Sequence, residues 1–175
     1  MIPEKYQWLT KEGAPRLIVE ALKIYGTKEV VGKKHNPVIL GWAKETGLEN
    51  VYTADEIPWC GLVMAYLCKM ADKEIVKDPL WALNWAKWGQ PSPTPELGDI
   101  LTFKRPGGGH VGLYVGEDAT AYHVLGGNQE NAFNITRIAK TRLYSARQSE
   151  WKSAKPQNVR KVILSSTGKL SENEA

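Results

Sequence analysis

The stretch Asp55-Glu56-Ile57-Pro58-Trp59-Cys60-Gly61-Leu62-Val63-Met64-Ala65-Tyr66-Leu67 decides how the rest of the chain is read. A proline and a tryptophan lead into a cysteine, and Leu62, Val63, Ala65, Tyr66 and Leu67 follow at helical spacing. The pattern predicts a loop that delivers Cys60 to the first turn of a buried helix over about 59–70. The first N–H groups of a helix are unpaired and carry roughly half a positive charge, so Cys60 is expected to ionise more readily than an ordinary thiol. A cysteine nucleophile also needs a base. Gly107-Gly108-Gly109-His110-Val111-Gly112-Leu113-Tyr114-Val115-Gly116 supplies one, His110, at the start of a strand.

Upstream of Cys60 the signals are helical. Leu17, Ile18, Ala21, Leu22 and Tyr25 form one apolar stripe, opened by Pro15 and closed by Gly26. Asn36-Pro37 is an N-cap followed by a first-turn proline, and it starts a second helix through about Thr46 that Gly47 ends. His35 precedes it and reads as a solvated loop histidine. Residues 1–13 read as an extended lead-in. Downstream, Asp78-Pro79 opens a helix whose Trp81, Trp85 and Trp88 read as core.

After Gly98 the period changes from helical to alternating. Strands are expected at 99–104, 110–115, 120–125, 134–140 and 142–148, with 160–165 as a last edge strand. Helices followed by antiparallel strands make an α+β fold. One domain is expected over 1–165, with a polar, disordered tail at 166–175.

Composition narrows the function classes. The 175 residues carry a net charge of +4, and the Lys and Arg are scattered, so no nucleic-acid partner is expected. Cys60 and Cys68 would stand about 12 Å apart along one helix at 1.5 Å per residue, too far for a disulfide. No CxxC or HxxxH pair suggests zinc, and no metal or cofactor is expected. No apolar run approaches membrane-spanning length and no signal peptide is visible, so neither membrane insertion nor a leader is expected. A monomer is the expected state.

The base needs an orienting partner on its far nitrogen. If the hairpin closes at 116–119, Gly112 faces His123, and His110 and His123 share a face. Asn128 then lies on the opposite face unless a bulge at Gly126-Gly127 reverses it, and Gln129 serves if there is none. The residues alone leave His123, Asn128 and Gln129 open.

Taken together, these motifs resemble the papain-like cell-wall hydrolases of the NlpC/P60 and CHAP superfamily, and in particular its small phage- and prophage-associated group. The resemblance covers residues 14–148. It rests on His35-Asn36-Pro37-Val38-Ile39-Leu40, Asp55-Glu56-Ile57-Pro58-Trp59-Cys60, Trp85-Ala86-Lys87-Trp88-Gly89, Gly98-Asp99-Ile100, Gly109-His110-Val111-Gly112-Leu113-Tyr114-Val115-Gly116 and Leu125-Gly126-Gly127-Asn128-Gln129. It implies N-terminal helices packed on a C-terminal antiparallel sheet, with Cys60 as nucleophile and His110 as general base. The Gly-Gly-Asn-Gln element favours Asn128 as the third residue, while His123 fits the broader pattern. The Glu-x-Asn pair of many CHAP domains is absent, because Gly126 stands two residues before Asn128.

The implied activity is hydrolysis of a peptidoglycan amide bond, by an endolysin held in the host cytoplasm until it reaches the periplasm or cell wall. A toxin-type wall amidase and a non-catalytic virion or wall-binding module are the other readings.

Overall fold

Among the described residues, local signals account for two of the three α-helices, α1 (Arg16–Lys23), α2 (Pro37–Thr46) and α3 (Cys60–Met70). In α2 the Asn36 side chain accepts from the Val38 N–H at 2.8 Å, Pro37 fills the first turn, and Gly47 ends the helix at φ 72°. α3 is buried at every position from Cys60 to Ala65 and again at Leu67 and Cys68, as befits a helix that is apolar nearly all round. Its N-cap, Trp59, supplies no side-chain cap, so the first-turn N–H groups keep their polarity for what lies in front of them. These features belong to a computed structural model that describes residues 1–32, 34–172 and 174.

Two segments ahead of the sheet differ from the sequence expectation. The lead-in is a 3-10 helix over Glu4–Lys11 that buries Tyr6 and Leu9, three residues apart on one side. The expected tryptophan helix is a short 3-10 segment, Ala82–Lys87. Asp78 turns the chain at φ 51°, and only Trp85 and Trp88 enter the core, while Trp81 is 64% exposed.

Six strands follow: β1 (Gln90–Pro91), β2 (Ile100–Arg105), β3 (Gly108–Glu117), β4 (Ala121–Gln129), β5 (Ala132–Ala139) and β6 (Leu143–Gln148). They form one sheet in the order β1-β6-β2-β3-β4-β5, with every pairing antiparallel. The fold is therefore α+β. α3 lies on β3 and β4, and Ile100, Val111, Leu113, Val115, Leu125 and Phe133 join it in the main core. Leu101, Phe103, Tyr114, Val124 and Ile138 form a second cluster. Each fully buried side chain of this size is worth roughly 1.5–3 kcal/mol over leaving it exposed.

The β3–β4 hairpin closes later than its sequence suggests. Asp118 Oδ1 accepts from the N–H groups of Thr120 and Ala121 at 2.9 and 3.1 Å, which puts the turn at 118–120. Gly116, not Gly112, therefore faces His123, and a register shift follows between Tyr114 and Gly116.

The expected edge strand at 160–165 is a single parallel bridge from Ile163 to Glu117, flanked by bonds from Glu117 N to Val162 O and from Leu164 N to Glu117 O. Beyond it, the Thr167 carbonyl accepts from Lys5 Nζ at 2.7 Å. Leu170 bridges Arg137, and Ser171 N donates to Arg137 O at 2.7 Å. Asn173 and Ala175 of the expected tail lie outside the described residues.

Candidate active site

Cys60 opens α3 against the sheet and is 3% exposed. Burial pushes its thiol pKa up. The N–H groups of Val111, Gly61 and Cys60 itself, together with the Arg105 charge, pull the other way without prevailing. The helix start thus does what its sequence suggested, but desolvation of the thiolate outweighs it, and the resting group is a neutral thiol. The Val111 N–H belongs to the residue after His110, so the Cys60 sulfur lies beside the β3 backbone. The Val111 side chain packs in the main core with α3, while the His110 ring stacks on Phe103 of the second cluster, on the other face of the sheet.

His110 is fully buried. Its Nε2 and Gln129 Oε1 are 3.0 Å apart, and its Nδ1 has no hydrogen-bond partner among the described residues. The Gln129 amide is held from its other end: Nε2 donates to Asn134 O at 2.7 Å, Asn134 Oδ1 at 3.0 Å and Val124 O at 3.2 Å. With the amide nitrogen committed to three acceptors, its oxygen must face the imidazole. Nε2 of His110 then carries the proton, and Nδ1 presents a bare lone pair. Burial pushes the His110 pKa down to about 4, against upward pulls from Glu174 and Gln129.

The third position corrects the sequence reading. Gly126 faces the same side as His110: a Cβ there would lie 3.2 Å from His110 Nε2 and 3.1 Å from Gln129 Oε1. Plain alternation from Gly126 would bring residue 128 to that side. Between Gly126↔Asn134 and Gln129↔Ala132, however, β4 has two residues where β5 has one. This bulge, with Asn128 at φ 58°, passes the place to Gln129. Asn128 is buried nearby with its Oδ1 unpartnered among the described residues, and it is not bonded to His110.

His123 is also elsewhere. Its Nδ1 pairs with Tyr6 Oη at 2.7 Å and its Nε2 with Asp118 Oδ2 at 2.9 Å, and the same Asp118 oxygen accepts from Arg137 Nε at 2.8 Å. Of the expected trio Cys60, His110 and Asn128, the first two stand on adjoining elements with no hydrogen bond between them among the described residues, and Gln129, not Asn128, pairs with His110.

One wall of the site is built from loops that sequence reasoning passed over. Asp55, 1% exposed, accepts from Val30 N and Asn36 N at 2.8 Å each and pairs with His35 Nδ1 at 3.0 Å. His35 is thus a partner of a buried carboxylate rather than a free loop histidine. Burial raises the Asp55 pKa, but these bonds together bring it below the ordinary value. Glu29 Oε2 accepts from Trp59 Nε1 at 3.2 Å. A Cβ on Gly127 would lie 2.7 Å from the Trp59 ring and from Val63, so β4 rests directly on the residue before the cysteine. On another side, Arg142 forms a two-pronged pair with Glu174 at 2.8 and 2.6 Å.

Alternation left Gln129 as one of three candidates and only the register selects it, and no signal within the sequence links Glu174 to His110. The Asx cap at Asn36 and the Asp55–Cys60 spacing were the available hints for the loop wall.

No protein-family model matches the chain, and no curated protein matches it.

Proposed function

We propose that the protein is a cysteine hydrolase of the papain-like type that cleaves an amide bond of peptidoglycan. The observation that carries this reading is the pinned Gln129 amide, which leaves His110 with a bare Nδ1 on the residue next to the N–H that reaches the Cys60 sulfur. A buried imidazole nitrogen without a partner is costly unless it has a task, and accepting the thiol proton is a task that fits. The motif resemblance supplies the substrate class, with Gln129 filling the role expected of Asn128.

The pair starts neutral, since burial raises the Cys60 pKa and lowers that of His110. In the proposed reaction the Cys60 S–H proton moves to His110 Nδ1 as the sulfur attacks the amide carbonyl. The carbonyl electrons shift to oxygen, and the Cys60 N–H at the uncapped helix start donates to the oxyanion. One such donor is worth about 3 kcal/mol. The intermediate collapses, the C–N bond breaks, and the imidazolium gives its proton to the departing amine. A water then gives its proton to His110 and its oxygen to the thioester, which releases a carboxylic acid and restores the thiol. Gln129 keeps the ring's other nitrogen protonated throughout.

Peptidoglycan is the proposed partner, and release of phage from its host the proposed setting. The test is digestion of purified peptidoglycan with mass spectrometry of the soluble products, for wild type and Cys60→Ala. Products from wild type alone are expected, and their masses identify the bond. Products from both proteins remove Cys60 as nucleophile. Products from neither favour a non-catalytic module or another substrate.

A further inference from the structure

Among the described residues, Trp81 is the one tryptophan that stands in the open, 64% exposed. Trp42, Trp59, Trp85 and Trp88 are buried. Trp8 and Trp151 are half-buried, and Arg160 and Lys73 lie over their rings at 5.8 and 5.7 Å. No ring or cation covers Trp81 among the described residues. Lys77 and Asp78, just before it, are exposed, so the indole is a single bare ring beside charged groups and not part of an apolar run.

A tied turn holds this ring out. Asp78 takes φ 51°, and Trp81 N donates to Asp78 O at 3.2 Å. Asn84 Nδ2 donates to the carbonyls of Asp78 and Lys77 at 3.1 and 3.3 Å. Trp85, buried below, donates from Nε1 to Pro79 O at 2.9 Å. The backbone is thus fixed on both sides of Trp81, and an aromatic ring fixed in this way loses little conformational freedom when it binds.

The turn also lies against the neighbours of both candidate groups. A Cβ on Gly61, the residue after Cys60, would strike Pro79 O and would lie 3.0 Å from the Leu80 carbonyl carbon, which is bonded to Trp81 N. Two residues beyond Trp81, Leu83 Cδ2 lies 2.6 Å from where a Cβ on Gly109, the residue before His110, would be. Trp81 stands in the chain between these two contacts.

We propose that Trp81 is a stacking platform for a pyranose ring of the glycan strand, beside the peptide that Cys60 attacks. The C–H groups on a pyranose face carry partial positive charge and pack on the electron-rich indole face, while the sugar hydroxyls stay at the wet, charged edge. The choice of a glycan rests on peptidoglycan being the substrate.

The test is titration of the full-length Cys60→Ala protein with a soluble tetramer of N-acetylglucosamine, which carries no stem peptide. It is followed by the indole N–H signal of Trp81 in ¹H–¹⁵N spectra, identified as the signal missing from Trp81→Ala. That signal is expected to shift saturably. Adding Trp81→Ala should weaken tetramer binding about tenfold or more, the scale of losing one stacked ring. Trp81→Phe should recover part of the affinity, and neither change should lower the melting temperature, since the ring is exposed.

A tetramer that leaves the Trp81 signal in place, or that binds Trp81→Ala as tightly as its parent, overturns the platform. A shift produced only by a glycan-free stem peptide overturns it as well, and so does one produced by protein concentration alone, which would make the ring a contact between copies. Peptidoglycan digestion by the protein with Cys60 intact is scored separately. Tetramer binding through Trp81 without digestion leaves the platform standing and removes the hydrolase reading, whereas digestion with no tetramer binding does the reverse.

Discussion

Two buried histidines sit in the same sheet under opposite conditions. His123 on β4 has both ring nitrogens engaged, by Tyr6 and by Asp118, and Asp118 is in turn held by Arg137. His110 on β3 has one nitrogen engaged and one without a partner among the described residues. Burial lowers both pKa values below 6.5, so exposure and charge do not tell them apart. Hydrogen-bond accounting does. A ring with every valence filled is a structural fastener, whereas a ring with one lone pair left open in the interior is poised to take a proton from something.

The largest effect expected from this contrast is on turnover. His110→Gln should lower peptidoglycan hydrolysis by about 10²–10⁴-fold, the usual worth of a positioned base. His123→Gln should leave the activity of the folded fraction within a few-fold of wild type while lowering the melting temperature. Equal losses of activity in the two variants would erase the distinction.

Stability should show the reverse ranking. Asp118→Asn leaves Arg137 and His123 without their buried anion, and removing one partner of a buried pair costs about 3–5 kcal/mol. Denaturant unfolding as a function of pH sharpens the point. Arg137 first, then the backbone N–H of Thr120 and the His123 ring, hold the Asp118 pKa well below its ordinary 3.8. A carboxylate lowered in this way stabilises the fold above its unfolded pKa, and that contribution fades as the pH drops below about 4 toward the folded value. Both histidines, also lowered, already cost stability as the pH falls below 6.5. Asp118→Asn should therefore lose the Asp118 share of the decline below pH 4, keep the shares of Asp55, Glu117 and Glu174, whose pKa values are also lowered, and keep the part above pH 4.

The support of His110 should matter less than His110 itself. Gln129→Leu removes the acceptor that fixes the proton on Nε2 and should cost about 10²-fold in kcat, the scale of a small misplacement of a catalytic group. Gln129→Glu, still an acceptor, should recover part of it. Gly126→Ala is the mildest test. Its methyl would press on the His110–Gln129 contact at 3.1–3.2 Å, and a loss of about tenfold in kcat is expected, with little change in melting temperature.

The sequence was legible wherever one residue's local chemistry was enough. Asn36, Pro37 and Gly47 bound α2 by capping alone, and the apolar run after Cys60 could only be a buried helix. β2 and β3 followed from alternation, and with them the positions of Cys60 and His110. What was not legible depended on register and distance. The turn at 118–120 moves the residue opposite His123 from Gly112 to Gly116. The bulges after Tyr114 and before Gln129 each move a side chain by one position, and a shift of one exchanges the faces of a strand. Asn128, the residue favoured by motif, lost its place to Gln129 for that reason. Tyr6 and Leu9 were too few to announce a 3-10 helix, and the Arg142–Glu174 pair spans 32 residues with no local signature.

The most direct test of the central claim is a rapid-quench experiment with soluble peptidoglycan fragments, in which the peptide containing Cys60 is weighed at successive times. The expected result is an acyl adduct on Cys60 that appears within the first turnover, decays as the carboxylic acid product accumulates, and is missing from His110→Gln. Steady product release with no adduct on Cys60, and equal release by Cys60→Ala, would contradict it.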